Sequence, residues 1–189
     1  MVSFNEKGES LRILDVFNAA QEGTFEDFQQ FYIGNINEVN RNLDSNLLCL
    51  ATTNDRKPEE KIKIIKFLIS EGIDINYTTK KEKRNALHCL NFGLYRPNPD
   101  YVLEVTKLLV ENGIDVNAFD KYHAIPLDYA ITINKLPTEK LKILYRYLLE
   151  KGSKYDSKDV FGKSCLDYAK EYSWRNGFLD IVKEYENDK

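Results

Sequence analysis

A leucine-centred marker and a glycine-led marker recur along the chain with the same spacing, and this repetition constrains the fold more than any other feature. The leucines at the centre of the first marker lie 39, 40 and 39 residues apart, at Leu48, Leu87, Leu127 and Leu166. The glycines that open the second marker lie 41 and 39 residues apart, at Gly72, Gly113 and Gly152. Because two independent markers share one period, the sequence predicts a protein built from repeated units.

Between its two markers, each unit contains the pattern of a second helix. Apolar residues recur at the spacing of one helix face, as they do in the second unit at Ile62, Ile65, Leu68 and Ile69. In three units a proline stands 14, 14 and 15 residues before the closing glycine, at Pro58, Pro99 and Pro137. Proline suits the first turn of a helix, where an N–H would lack a partner, and glycine adopts the left-handed conformation that ends one. We therefore predict a first helix, a proline-started second helix and an irregular connection in each unit.

The first forty residues hold a more degenerate copy of this unit. The opening of its first helix is predicted from Leu11, Leu14, Val16 and Phe17. Thr24 and Asp27 have the spacing of an N-cap before a second helix. The predicted fold class is thus all-α: one domain, 1–189, of about five helix pairs joined by hairpin-like loops. The approximate units are 8–40, 41–76, 77–117, 118–156 and 157–189.

The alternation of x-x-Leu-x-x-Ala with Gly-x-Asp-x-Asn resembles the ankyrin repeat over about residues 8–185. Residues 159–169 are most similar to the opening signature of that family, and residues 125–127 and 86–88 carry other parts of it. The resemblance implies an ankyrin-repeat solenoid. For function it implies only that the chain binds another protein, because one fold hosts many partners.

The units of this chain are longer than the family's usual unit of about 33 residues. The surplus falls between the two helices of a unit, at residues 52–57, 91–98 and 132–136. Insertions in repeat proteins map to one side of the stack. Either the helices are lengthened there or a ridge of loops lines that edge.

In ankyrin-like stacks the partner usually lies against the hairpin tips and the inner helices. Carried over by position, this gives nine candidate contact residues: Lys81, Arg84, Phe92, Lys121, Tyr122, Val160, Phe161, Lys163 and Tyr172. Val160 and Phe161 are the sharpest pair, because adjacent apolar residues at a tip have little core to enter; the alternative is that Phe161 packs on the next repeat. Residues 80–84 form a basic tip that would suit an acidic partner or be simply a solvated charge run.

Catalysis is not predicted. His88 stands where the resemblance places a histidine that hydrogen-bonds neighbouring backbone, and His123 lies in a predicted loop. GxSxG, P-loop and dinucleotide-binding patterns are absent from the sequence, and no convergent pairs of metal-binding residues are evident. We expect no catalytic residue, no metal and no cofactor. The widely spaced Cys49, Cys89 and Cys165 are expected to be reduced and buried.

Charge and hydropathy restrict the partner and the location. The formal charge of −3 over 189 residues disfavours a nucleic-acid partner. Residues 1–43 hold seven acidic and three basic residues, whereas residues 77–156 hold ten acidic and thirteen basic ones, an asymmetry that could orient a partner. No apolar run approaches the roughly 18 residues of a membrane span, and the polar start lacks the pattern of a secretion signal. We expect a cytoplasmic protein with no membrane partner.

Two functional hypotheses from different classes follow. The first is a non-catalytic protein–protein interaction module, a monomer when free, that occupies the surface of its partner; its specific form is an immunity protein or antitoxin that blocks a toxin. The second is a secreted effector or adaptor that sequesters or scaffolds host or cellular proteins. A protein that copurifies with the chain would discriminate between them, since a toxin is harmful alone and a host protein is not. An unrecognised enzyme is a third, less favoured hypothesis.

The central leucine of a unit is predicted to be buried between neighbouring units. Leu87→Ala should therefore lower the free energy of unfolding by roughly 2–5 kcal/mol, because it removes apolar contacts and leaves a cavity. Denaturant titration measures this loss, and a value well below about 1 kcal/mol would contradict the predicted burial. Phe161→Ala should barely change stability if that residue is a binding anchor.

Overall fold

Helices dominate the computed structural model, which describes residues 3–4, 10–11, 13–94 and 97–189. The α-helices within these ranges are α1 (Val16–Glu22), α2 (Phe25–Phe31), α3 (Leu47–Ala51), α4 (Pro58–Ser70), α5 (Ala86–Gly93), α6 (Pro99–Glu111), α7 (Pro126–Thr132), α8 (Thr138–Glu150), α9 (Cys165–Glu171) and α10 (Gly177–Asn187). A 3₁₀ turn, Ser173–Arg175, precedes α10. The expectation of a mainly helical chain is confirmed.

Two short antiparallel strand pairs interrupt the helical pattern, and the sequence did not predict them. Strand β1 (Ser3–Phe4) pairs with β2 (Ser10–Leu11), and β3 (Val39–Asn40) pairs with β4 (Ser45–Asn46). The prediction that the first helix opens at Leu11 is wrong, because Leu11 lies in β2. Helix α1 begins only after Asp15, whose side chain accepts the N–H of Asn18 and caps the helix. Residues 8, 9 and 12, at the start of the predicted first unit, lie outside the described residues.

The helices form two rows. In the first row α1, α3, α5, α7 and α9 contact one another in that order, and in the second row α2, α4, α6, α8 and α10 do the same. The rows are joined within pairs, for example where the Tyr145 hydroxyl of α8 donates to the carbonyl of Ala130 in α7 at 3.0 Å. Each pair therefore has neighbours on both sides except at the ends of the described chain.

Helices α4, α6 and α8 begin at or next to the predicted prolines and end just before the predicted glycines. Pro58 and Pro99 occupy the first turn of their helices, and Pro137 is the N-cap residue, one position earlier than expected. The closing glycines are left-handed, with φ of 80°, 90° and 86° at Gly72, Gly113 and Gly152. The next residue then donates its N–H five positions back, to the carbonyls of Leu68, Leu109 and Leu148. This closure satisfies carbonyls that the helix end leaves without partners.

Four first-row helices, α1, α3, α5 and α9, begin with side-chain caps. Asn85 and Ser164 accept the N–H three residues on, while the side chains of His88 and Asp167 accept the N–H of the cap residue. The predicted N-cap at Thr24 is confirmed, since Thr24 and Asp27 make the same reciprocal pair before α2. These local hydrogen bonds define the entry into each helix.

The predicted surplus residues lie partly in loops and partly in helices, since residues 91–93 complete α5 and Thr132 is the last residue of α7. Residues 52–57 connect α3 to α4, residues 94–98 connect α5 to α6, and residues 133–137 connect α7 to α8. The first-row helices stay short, at five to eight residues, while α4, α6 and α8 each have thirteen. Tyr95 and Arg96, within the second predicted insertion, lie outside the described residues.

The core runs between the rows and along them. It includes Leu87, which is 1% exposed, so the burial on which the Leu87→Ala prediction rests is confirmed. All three cysteines lie in the described part of the chain, where they are buried and unbonded to one another, as expected. None of the helices in the described ranges combines the length and the apolarity needed to cross a lipid bilayer.

Two fully buried cations, which the sequence analysis did not identify, bind the carbonyl ends of first-row helices. The ammonium of Lys61, in α4, donates to the carbonyls of Ala20 and Gly23 at the end of α1, at 2.8 and 3.0 Å. Burial lowers the pKa of Lys61 to about 7. Each cation meets the negative end of a helix dipole, where carbonyls lack intrahelical partners.

Arg175 plays the corresponding part near the other end of the chain. Its guanidinium donates to the carbonyls of Ile131, Asn134 and Leu136, and it lies 3.4 Å from a fourth, that of Ala130. Burial lowers its pKa. The loop between α7 and α8 is thereby fastened to the 3₁₀ turn of the next pair.

Removal of the Arg175 guanidinium should destabilise the fold. Arg175→Met leaves several buried carbonyls without donors, and we expect the free energy of unfolding to fall by about 3 kcal/mol, since hydrogen bonds to charged groups contribute about 1.5–3 kcal/mol each and relief from charge burial offsets part of the loss. Denaturant unfolding measures this value. Arg146→Met is the control, because Arg146 forms surface ion pairs with Glu150 and Asp188 and should matter far less. Equal losses in the two variants would contradict the assignment.

Candidate partner-binding surface

Two of the loops before the first-row helices are built in the same way around a buried aspartate. In the loop before α7, Asp120 accepts the N–H groups of Tyr122 and Ala124 at 2.7 and 2.9 Å and the hydroxyl of Tyr129 at 2.7 Å. Asp120 is 2% exposed. One carboxylate therefore closes the hairpin and ties it to the helix that follows.

The loop before α9 repeats this arrangement one unit later. Asp159 accepts the N–H groups of Phe161 and Lys163 at 2.8 and 3.0 Å and the hydroxyl of Tyr168 at 2.5 Å. The signal was present in the sequence, since each aspartate stands seven residues before a central leucine and each tyrosine two after it. Sequence reasoning missed it because the contact between the two side chains becomes visible only in the folded hairpin.

Successive hairpin tips are hydrogen-bonded to one another. The N–H of Lys121 donates to the carbonyl of Glu82, and the N–H of Val160 donates to that of Tyr122, both at 2.9 Å. The carboxylate of Asp44 accepts two N–H groups of the following tip, at residues 80–81. The tips therefore form one connected edge along the first row of helices.

A groove of about 260 Å³ lies between these tips and the first-row helices α5, α7 and α9. Six aromatic side chains line it: Phe92, Tyr122, Tyr129, Phe161, Tyr168 and Tyr172. Phe161 stacks on Tyr122 of the preceding tip, with ring centres 6.2 Å apart, and stays 69% exposed. Packing on the following unit, the alternative raised by the sequence, is not what the structure shows.

Arg84 separates this groove from a second one of about 250 Å³, and both Arg84 and Phe92 line the two grooves. The guanidinium lies 4.0 Å from the centre of the Phe92 ring, and its Nε donates to the hydroxyl of Tyr129 at 2.9 Å. The carboxylate of Glu82, on the tip, lies 3.6 Å from the same guanidinium. A cation held against aromatic faces in this way presents a fixed, partly desolvated charge at the centre of the surface.

The structure brings most of the predicted contact residues together. Five of the nine line the first groove: Arg84, Phe92, Tyr122, Phe161 and Tyr172. Lys81 lines the second groove, and Val160 is 55% exposed at its tip. Lys121 pairs with Glu82 at 2.6 Å and Lys163 pairs with Glu171, so both lysines lie on the tips in ion pairs.

Three aromatic residues of this surface were missed. Tyr129 and Tyr168 lie in the groove, and Trp174, 41% exposed, stacks on Tyr172 with ring centres 6.0 Å apart. Trp174 belongs to the 3₁₀ turn, which has no counterpart in the other described pairs. Its position follows from the tertiary course of that turn, so the period of the sequence carried no signal for it.

His88 is buried and bridges two backbone segments. Its Nδ1 accepts the N–H of Asn85 at 3.2 Å, and its Nε2 donates to the carbonyl of Ala124 at 3.1 Å, an assignment that fits the neutral ring. Burial lowers the pKa of His88 to about 4. The expected structural role of this histidine, as a hydrogen-bonding partner of neighbouring backbone, is confirmed.

The floor of the groove holds a third buried carboxylate, that of Asp128. Asp128 accepts the N–H of Ile125 and the thiol of Cys165, both at 2.9 Å, and burial raises its pKa to about 6. Its oxygens are thus engaged in holding α7 and α9 together. Among the residues that the structure describes, no three His, Cys, Asp or Glu side chains converge as they would around a metal ion.

Comparison with known proteins gives no match, either to a protein-family model or to a curated protein. The geometry of the surface is therefore the basis for assigning a function.

The neutral state of His88 makes stability depend on pH. A histidine with a pKa of about 6.5 when unfolded and about 4 when folded binds its proton more tightly in the unfolded chain, so stability is lost as the pH falls through this window. The loss approaches roughly 3 kcal/mol. His88→Gln should remove this part of the acid sensitivity, as measured by denaturant unfolding at neutral pH and near pH 4.5.

His123→Gln is the matched control, because His123 is the other histidine of the chain and lies exposed at a hairpin tip. This variant should keep the acid sensitivity of the wild type. If His88→Gln loses as much stability on acidification as the wild type does, then His88 is not the group responsible.

Proposed function

We propose that the chain is an ankyrin-repeat protein with lengthened units, and that it acts without catalysis by binding another protein through the aromatic groove and the adjoining tips. The two rows of helices, the left-handed glycines at the ends of α4, α6 and α8 and the hairpins before α7 and α9 support the first part of this proposal. The extra residues that the structure describes lie in the loops that join the two rows and at the ends of α5 and α7.

The observation that carries the functional part is the continuous aromatic surface itself. Rings from three consecutive helix pairs meet in one groove, and Phe92, Tyr122 and Phe161 are each at least 42% exposed. Soluble proteins rarely expose contiguous apolar surface without a binding role. Aromatic residues and arginine are also the side chains that most often dominate binding energy.

The surface is held in shape before any partner arrives. The hydroxyls of Tyr129 and Tyr168 are bound to Asp120 and Asp159, and the tips are joined by backbone hydrogen bonds. Side chains that are already ordered lose less conformational entropy on binding. This supports recognition by a rigid surface.

Exposed apolar side chains favour the tips and first-row helices over the second row as the binding face. Within the described residues, Ile143 is the only large apolar side chain of the second-row helices that is exposed, whereas the tips and first-row helices expose several. One face engages one partner at a time, which suits a blocking protein such as an immunity protein or antitoxin. A scaffold would need a second face for a second partner.

Phe161→Ala should weaken binding strongly, because the ring stands in the open part of the groove. We expect at least a tenfold loss of affinity, about 1.4 kcal/mol, for the partner that copurifies with the tagged chain. Ile143→Ala is the control, since Ile143 is 67% exposed against 69% for Phe161 but lies on α8. Quantitative recovery of the partner on the two variants is the measurement.

Both variants should unfold at the same denaturant concentration as the wild type. Undiminished recovery of the partner on Phe161→Ala, or an equal reduction on both variants, would contradict the assignment of the binding surface. The blocking form has its own readout: the partner expressed alone should arrest growth, and coexpression of the wild type, but not of Phe161→Ala, should restore it. If the partner does not arrest growth, the immunity role is rejected, but the assignment of the binding surface still holds.

A further inference from the structure

The hairpin tips carry a charge opposite to that of the chain as a whole. Residues 78–85, 119–125 and 158–164 together hold seven basic side chains and three acidic ones, although the chain has 27 basic and 30 acidic residues. The five second-row helices α2, α4, α6, α8 and α10 hold eight basic and twelve acidic residues. The positive excess is therefore a local property of the tips.

The acidic residues of the tips do not offset this excess at the surface. Asp120 and Asp159 are buried, and each accepts three hydrogen bonds from its own hairpin and helix. Glu82 is engaged by Lys121 at 2.6 Å and lies 3.6 Å from Arg84. The carboxylates of the tips are thus either paired with a basic side chain or buried and hydrogen-bonded.

Several basic residues of the tips remain available to a partner. Among the tip residues 78–85, 119–125 and 158–164, all of them described by the structure, four exposed lysines have no ion-pair partner within 4 Å: Lys80, Lys81, Lys83 and Lys158. Each lies on a tip, next in sequence to a residue that lines one of the two grooves, and Lys81 itself lines the second groove. The surface therefore combines an apolar centre with a cationic rim.

We propose that the partner presents an acidic surface with an apolar or aromatic anchor, which enters the groove beside Phe161 while its carboxylates meet the lysines of the tips. This inference rests on the proposed function, because it specifies the partner of the same surface. Complementary charges of this kind orient a partner and speed association, while the desolvated anchor holds it. Single-stranded nucleic acid also combines negative charge with rings that stack, but it binds along a positively charged groove. Among its described lining residues the aromatic groove has one basic side chain, Arg84, beside the carboxylates of Asp120, Asp128 and Asp159, which disfavours a strand there.

The test uses the intact chain and peptides selected from a random dodecapeptide library displayed on phage. Selected peptides are synthesised with a fluorophore, and their affinities are measured by anisotropy. We expect Asp and Glu to outnumber Lys and Arg around an aromatic residue or leucine. The affinity should fall as salt rises, because the charges at the rim are exposed.

Charge-reversed variants test whether binding depends on the lysines of the tips or only on the net charge of the protein. Lys81→Glu combined with Lys158→Glu should weaken binding of the selected peptides by about tenfold. Lys66→Glu combined with Lys140→Glu is the matched control, because these exposed lysines lie on α4 and α8 and the change in net charge is the same. The control should stay within about twofold of the wild type.

Three results would overturn the inference. If the selected peptides require Phe161 but show no acidic excess, the partner is not acidic, and the proposed function still holds. Equal weakening by the two double variants would also overturn the inference, since the tips would then have no special role. An oligo(dT) strand that binds as tightly as the selected peptides, and whose binding is lost with Lys81→Glu and Lys158→Glu, would assign the surface to nucleic acid.

A further result bears on the proposed function itself. If no selected peptide depends on Phe161 for binding, the proposed function fails together with the inference.

Discussion

Each helix pair leaves an apolar face that only the neighbouring pair can cover, and the rest of the structure depends on this contact. Short helices of five to eight residues, such as α3 and α5, are too short to be stable alone. Leu87 is buried because helices from adjacent pairs enclose it. Stability therefore accumulates along the rows, and a cavity in one pair affects its neighbours through their shared contact.

Polar groups then hold the loops on the two sides of the helix rows. On one side Lys61 and Arg175 bind the carbonyls at the ends of first-row helices. Each of the two residues belongs to the next helix pair along the chain. On the other side Asp120 and Asp159 hold the hairpins against their own helices. These buried groups are satisfied by hydrogen bonds, as buried polar groups in native proteins generally are.

The candidate binding surface results from the same construction. Because the hairpins and first-row helices repeat, their aromatic side chains come to lie side by side and form a groove. Arg84 joins this groove to its neighbour through Phe92 and Tyr129. The lysines of the tips add charge at the rim, where it acts on approach, while the rings occupy the centre, where burial contributes most to affinity.

The sequence alone determined the period, the prolines and glycines that begin and end the second-row helices, and caps such as Thr24 with Asp27, because these signals act through neighbouring backbone. It also located residues such as Phe161 on the tips. Tertiary structure decided what depends on distant contacts. Most of the inserted residues that the structure describes became loops, Phe161 stacked on Tyr122, Arg175 was buried, and Tyr129, Tyr168 and Trp174 joined the surface. The physical reason is that partners tens of residues apart are chosen by packing in three dimensions, which local spacing does not specify.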